Sequence, residues 1–192
     1  DYDNIFILAT SHRIAFNGAS IYYQGDYITP LGKVKVNRDL ANKLIEEHDI
    51  FEFNPDAHAS EHSLEVQLPF LQYKMNKDFQ IVPIVTGTQT LGDVKKIADA
   101  LAMYVNEKNL FIISADFSHY PKYEDAVKVD NNTKNAIVSN SVVNLIDAIN
   151  SNASLNIDNL VTSLCAWPAV LTLLNITEKM PDMQVLAVNY QN

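Results

Sequence analysis

Two kinds of apolar spacing alternate along the chain. Near-continuous apolar or β-branched runs cover residues 4–10, 79–86, 110–115 and 184–189, the pattern of strands buried on both faces. Between them, apolar residues recur every three or four positions, as one face of a helix requires. Residues 38–47 align Leu40, Leu44 and Ile45 behind a capping Asn37, and residues 91–105 align Val94, Ile97, Ala98, Leu101 and Val105 behind Thr90. Residues 61–75 repeat Leu64, Leu68, Leu71 and Met75, with Pro69 expected to kink or split the helix. Further helices are expected over 124–149, broken near Asn140, and over 168–178 with Pro168 at its start. The turn signals Gly25-Asp26 and Thr29-Pro30-Leu31-Gly32 predict an irregular or hairpin excursion between Gly18 and Val36. Strands interleaved with helices predict an α/β fold, a sheet flanked by helices, in a single domain over residues 1–192.

Composition narrows the function classes. Fourteen Lys and Arg against 23 Asp and Glu give a net charge of −9, a field that repels phosphate backbones, so no nucleic-acid partner is expected. Apolar runs such as Leu110-Phe111-Ile112-Ile113 fall far short of the roughly 20 residues that span a bilayer, so no membrane association is expected either. The five glycines form neither GxGxxG nor GxxxxGK[ST], which removes both common phosphate-cradling loops. A single cysteine, Cys165, fits a reducing compartment and a cytoplasmic location. The chain opens at Asp1 without Met and enters a strand at once, so a preceding segment is expected.

Four of the five histidines lie in three polar clusters, each at a predicted strand end or helix start, where open α/β sheets keep their ligands. These are Thr10-Ser11-His12, His58-Ala59-Ser60-Glu61-His62-Ser63, and Asp116-Phe117-Ser118-His119. Imidazole and carboxylate suit a divalent metal with open coordination positions, and His12, His62 and a third group can form such a face. His58 and His62 are four apart, but Pro55 and Ser60 place the expected helix start after His58, which weakens that pair. Asp116 and His119, three apart, suit a carboxylate orienting an imidazole for acid–base work, or equally a capping turn. Cys165 reads as a small buried hydrophobe, since nothing in the sequence ties a histidine to it; the alternative is a thiol acidified at a helix start. Tyr22, Tyr23 and Tyr27 read as packing residues near the hairpin.

In order and wording, Thr10-Ser11-His12, Tyr27-Ile28-Thr29-Pro30-Leu31-Gly32, Glu61-His62-Ser63-Leu64-Glu65-Val66-Gln67-Leu68-Pro69-Phe70-Leu71 and Asp116-Phe117-Ser118-His119-Tyr120 resemble the Memo family. The likeness runs from about Ile5 to Tyr190. It implies a fold similar to the class III extradiol dioxygenase (LigB-like) fold, in which two histidines and a glutamate hold Fe(II) and another histidine serves as acid and base. Carried over, His12 and His62 match the metal histidines, and His119 with Asp116 beside it matches the acid–base position. The resemblance implies a redox metal, iron or copper, a small-molecule ligand, and AMMECR-like and radical-SAM protein partners. It also places the family's third ligand, a cysteine, beyond Asn192, so Cys165 is not assigned that role. Fold analogy leaves the reaction open; an extradiol ring-cleaving dioxygenase and a non-enzymatic interaction module with a vestigial pocket are the competing expectations.

Overall fold

The computed structural model describes residues 2–191. The chain forms two compact units, one ending at Ser114 and the other starting at Ala115.

The first unit is built on strand β1 (Asn4–Thr10), whose residues Ile5 to Ala9 are fully buried. β1 pairs in parallel with β6 (Gln80–Thr86) from Asn4 opposite Gln80 to Thr10 opposite Thr86, and on its other side with β7 (Asn109–Ile113). The sheet runs β3-β4-β6-β1-β7, where β3 (Tyr27–Thr29) and β4 (Gly32–Val36) form the expected hairpin. Gly32, at φ +118°, closes its turn in a conformation that side chains rarely adopt. The second edge of β6 is divided. Lys35 and Val36 of β4 pair in parallel with Gln80 and Ile81, whereas β2 (Ala19–Ile21) pairs antiparallel with Ile84 to Thr86. Pro83, which has no N–H to donate, stands at the changeover. β5 (Phe51–Glu52) adds to β2 in parallel.

Two helices of this unit follow their sequence signals. α1 (Arg38–Glu47) begins where the Asn37 side chain accepts the Leu40 N–H, and Asn37 also donates to the Asn4 side chain and to the Ile81 carbonyl, tying the cap to the sheet. α4 (Leu91–Leu101) starts at the Thr90 cap and buries Val94, Ile97, Ala98 and Leu101, as expected, but ends in a 3-10 turn over Ala102–Tyr104. The helix expected over 61–75 is shorter: after a 3-10 turn at Glu65–Gln67, α3 occupies only Leu68–Lys74. Pro69 is the reason, because a proline is accommodated in the first helical turn and not in the interior. His58 lies on a separate short helix that the sequence reading did not anticipate, α2 (Pro55–Ala59), with Pro55 in its first turn and Asn54 as cap.

The second unit contains α5 (Tyr123–Val138), α6 (Val142–Ser154) and α7 (Trp167–Thr177). The expected break falls at Asn140, which takes φ +50° and exchanges side-chain hydrogen bonds with Thr177. Asn152, almost fully buried on α6, donates to Thr133 and accepts from Asn132, locking α5 to α6. The strand expected over 184–189 does not form. Leu186 and Val188 are 76% and 95% exposed, and among the described residues this segment pairs with no strand. Among the described residues, no helix is long and apolar enough to cross a membrane.

Gly18 is the position where backbone conformation is most demanding. It holds φ +74°, a Cβ there would overlap the Ile50 carbonyl oxygen, and its own carbonyl accepts the N–H groups of Gly87 and Thr88 beyond β6. Gly18→Ala is expected to destabilise the protein by about 2 kcal/mol or more, measured as a lower urea midpoint with unchanged slope.

Candidate metal centre

His12 is positioned by the carboxyl end of the central strand. Beyond Thr10, the Ser11 N–H still donates to the Thr86 carbonyl, and the Ser11 hydroxyl donates to the Ile14 carbonyl at 2.7 Å, turning the chain sharply. That turn presents both the backbone and the ring of His12 to Glu61. The His12 N–H donates to Glu61 Oε2 at 2.7 Å, and His12 Nδ1 lies 2.9 Å from Glu61 Oε1.

Glu61 and His62 follow the end of α2, in a loop that sends neighbouring side chains in opposite directions. The Glu61 side chain is 2% exposed and that of His62 is 63% exposed. Glu61 Oε1 also accepts the Ser63 N–H at 3.0 Å and the Ser63 hydroxyl at 2.8 Å, while His62 Nδ1 stands 3.4 Å away. The two imidazoles are 5.2 Å apart at their centroids, tilted by 36°. Burial alone would raise the Glu61 pKa, but the N–H groups of His12 and Ser63, with the His12 ring and the Ser63 hydroxyl, bring it down to about 2. Glu61 is therefore a carboxylate at any physiological pH.

His12, Glu61 and His62 together can hold a metal ion, their ligand atoms all lying within 4.8 Å of one another. Two imidazole nitrogens and a carboxylate form a nitrogen–oxygen donor set that fits first-row divalent metals. The structure thus brings together His12 and His62, as the sequence suggested, and adds Glu61. The signal for Glu61 was present, since it is the one acid in its cluster and adjoins His62 in sequence.

His58 does not join this group. α2 stops at Ala59, so no helix carries His58 and His62 on one face. His58 Nε2 lies instead 2.9 Å from the Ser20 hydroxyl on β2, beside the Tyr22 ring. Tyr22 also packs edge-on against Tyr27 and Phe53, and Tyr23 against Phe53, so these tyrosines form an aromatic cluster.

Asp116, His119 and Cys165 form a second group of ligand-type side chains, within the second unit. The Cys165 N–H donates to the Asp116 carbonyl, and the Asp116 N–H donates to Cys165 Sγ at 3.2 Å. Backbone hydrogen bonds from His119 to Thr162 and from Val161 to His119 continue this pairing of distant segments, which explains why sequence spacing could not connect Cys165 to a histidine. Burial pushes the Cys165 thiol up, so the acidified-thiol reading does not hold. His119 Nδ1 lies 2.9 Å from the Phe117 carbonyl. The ring is thus anchored by a backbone acceptor, and the orienting partner differs from the Asp116 carboxylate expected from sequence. Asp130, buried on α5, accepts the Ser118 N–H and the Tyr190 hydroxyl, fixing the loop that carries His119.

Burial lowers the His58 pKa from 6.5 to about 4, against a smaller opposing contribution from Ser20. The unfolded chain takes up this proton before the folded one does, so stability is lost as pH falls. The expected loss is about 3 kcal/mol between about pH 6.5 and pH 4. Urea denaturation across this range checks it, and His58→Gln is expected to flatten this part of the profile.

The whole chain, residues 1–192, matches a family model described as Memo-like protein. A MEMO1 family protein of Desulfurococcus amylolyticus is 32% identical over 181 residues, covering 93% of this chain and 61% of the relative. Another from Thermoplasma acidophilum is 31% identical over 186 residues, covering 97% of this chain and 66% of the relative. A MEMO1 family protein of Saccharolobus islandicus is 39% identical over 132 residues, 67% of this chain and 46% of the relative. The chain therefore spans about half to two thirds of the length of these relatives. The crystal structure of an uncharacterized protein from Escherichia coli K12 superposes with a TM-score of 0.54 at 15% identity, covering 89% of this chain and 73% of that one, a likeness of fold. With an α/β sheet flanked by helices, conserved in outline in that structure, and a family match along its full length, the chain belongs to the Memo family.

Proposed function

We propose that this chain is a cytoplasmic non-haem metal protein in which His12 and His62 hold a redox-capable metal, iron in first place and copper in second, for work on a small molecule. The observation that carries this reading is the approach of both imidazoles to one buried carboxylate oxygen, 2.9 Å from His12 Nδ1 and 3.4 Å from His62 Nδ1. Two neutral-nitrogen donors beside one fixed negative charge favour a divalent cation over an anion or a neutral ligand. A metal bound there supplies Lewis-acid and one-electron chemistry.

The chain's own residues supply binding and proton handling. Glu61, ionised and desolvated, offsets part of a cation's charge. We assign proton transfer to His119. Donation from its Nδ1 to the Phe117 carbonyl leaves Nε2 with a lone pair, the tautomer a general base requires.

Metal content of anaerobically purified protein, read by mass spectrometry, tests the proposal. Near-stoichiometric iron or copper is expected in the wild type and its loss in His12→Ala and His62→Ala. A wild type that stays empty after reconstitution with Fe(II), Cu(I) and Zn(II) would remove the metal reading in favour of a protein-interaction module. Oxygen uptake with catechols by the loaded protein, abolished in His119→Ala, would specify ring-cleaving dioxygenase chemistry.

A further inference from the structure

The three members of the first group are not equivalent, and their hydrogen bonds distinguish their roles. The Glu61 carboxylate accepts four hydrogen bonds, three of them at Oε1. Oε2 takes the His12 N–H at 2.7 Å; Oε1 takes the Ser63 N–H at 3.0 Å, the Ser63 hydroxyl at 2.8 Å and the His12 ring at 2.9 Å. An ionised carboxylate accepts and never donates, so the hydrogen in the contact between His12 Nδ1 and Oε1 belongs to the imidazole. A neutral imidazole carries a single N–H. With that hydrogen on Nδ1, the lone pair is on Nε2, and only a lone pair can bind a metal.

From this we infer that Glu61 is a positioning residue and not a ligand: it clamps His12 through both backbone and ring, and so fixes the tautomer that offers Nε2 to a metal. The inference rests on the metal reading above for its purpose, although the clamp itself belongs to the metal-free protein. The same carboxylate fixes where the ring points. His12 is held at two atoms, its own N–H and Nδ1, by two oxygens of one rigid group, which leaves the ring little freedom. His62 has no comparable restraint: its Nδ1 stands at 3.4 Å, beyond the usual length of a charge-assisted hydrogen bond, and its side chain is 63% exposed. Ligation through Oε1 would require it to give up the His12 hydrogen and at least one Ser63 donor, and ligation through Oε2 would place the metal beside the His12 N–H that this oxygen holds at 2.7 Å, in a site where the carboxylate is 2% exposed; unpaired buried donors are costly. Carboxylates that accept the second N–H of a ligating histidine are a recurrent arrangement around protein-bound metals. Here the acceptor adjoins the other histidine in sequence, so one loop supplies both the clamp for His12 and the second imidazole.

Two readouts on the same variants separate positioning from ligation. Long-range nitrogen–proton NMR of metal-free protein, at about pH 8.5 where imidazole is neutral, reports the His12 tautomer. The wild type is expected in the Nδ1–H form, and Glu61→Gln in a mixture of both. Zn(II) titration of the same samples is expected to show one equivalent bound by each, with affinity lowered about 10- to 100-fold in Glu61→Gln. Ser63→Ala, which leaves both His12 contacts in place, is expected to keep the tautomer and to lose less affinity than Glu61→Gln. Glu61→Gln that binds no zinc, as His12→Ala, while its His12 tautomer stays unchanged would make Glu61 a ligand and overturn the inference. So would a wild-type His12 in the Nε2–H form, a result that stands even if Glu61→Gln fails to fold. If the wild type shows the Nδ1–H form and takes up no metal, the clamp survives and the metal reading falls.

Discussion

A charge withdrawn from water needs donors, and the Glu61 carboxylate finds all of its own in two short segments. One follows β1, the strand paired on both sides at the centre of the sheet; the other follows α2 and leads into α3. The loss of any donor would leave part of a buried negative charge unsatisfied, a situation proteins seldom tolerate. The two segments are therefore held together by electrostatic necessity as much as by packing. The local fold around His12 and His62 is set by this requirement: an inward acid obliges its neighbour in an extended loop to face outward, and obliges the turn after β1 to bring its backbone N–H inward.

The sheet supports this arrangement through register. Because β1 and β6 are aligned residue for residue from Asn4 and Gln80 to Thr10 and Thr86, they end level with each other. The chain can then leave both strands at one edge, with Ser11 bonded back to Thr86 and Gly18 receiving Gly87 and Thr88. A one-residue slip would turn Ile5, Ile7 and Ala9 to the other face and carry His12 away from Glu61.

How much of this was legible in the sequence depended on whether the relevant physics is local. β1 and α1 were read to the residue, since five consecutive buried positions and an Asn37 cap are signals contained within the segment. The break at Asn140 was legible for the same reason, as asparagine tolerates the left-handed conformation it adopts there. The region 61–75 was misread because leucine spacing persists through a 3-10 turn, while Pro69 admits a helix only by standing in its first turn. Residues 184–189 carry strand-like composition, but a strand needs an edge to pair with, and no local pattern reports one. His12 and His62 were found by their place at element ends. The grouping of Cys165 with Asp116 and His119 was not, because it depends on backbone pairing across about fifty positions of sequence.

The contrast between the restrained ring of His12 and the exposed ring of His62 also sets how a bound ion would be exchanged. Most of the side-chain entropy lost on capture falls on His62, a cost of about 0.5–1.5 kcal/mol for immobilising one side chain, while His12 loses almost none. The exposed ring would make the first encounter and the last release, with the clamped ring defining where an ion would rest between them. Residues 60–63 would then govern residence time more than they govern the position of the ion. In that division, the turn after β1 acts as the anvil and the loop after α2 as the latch.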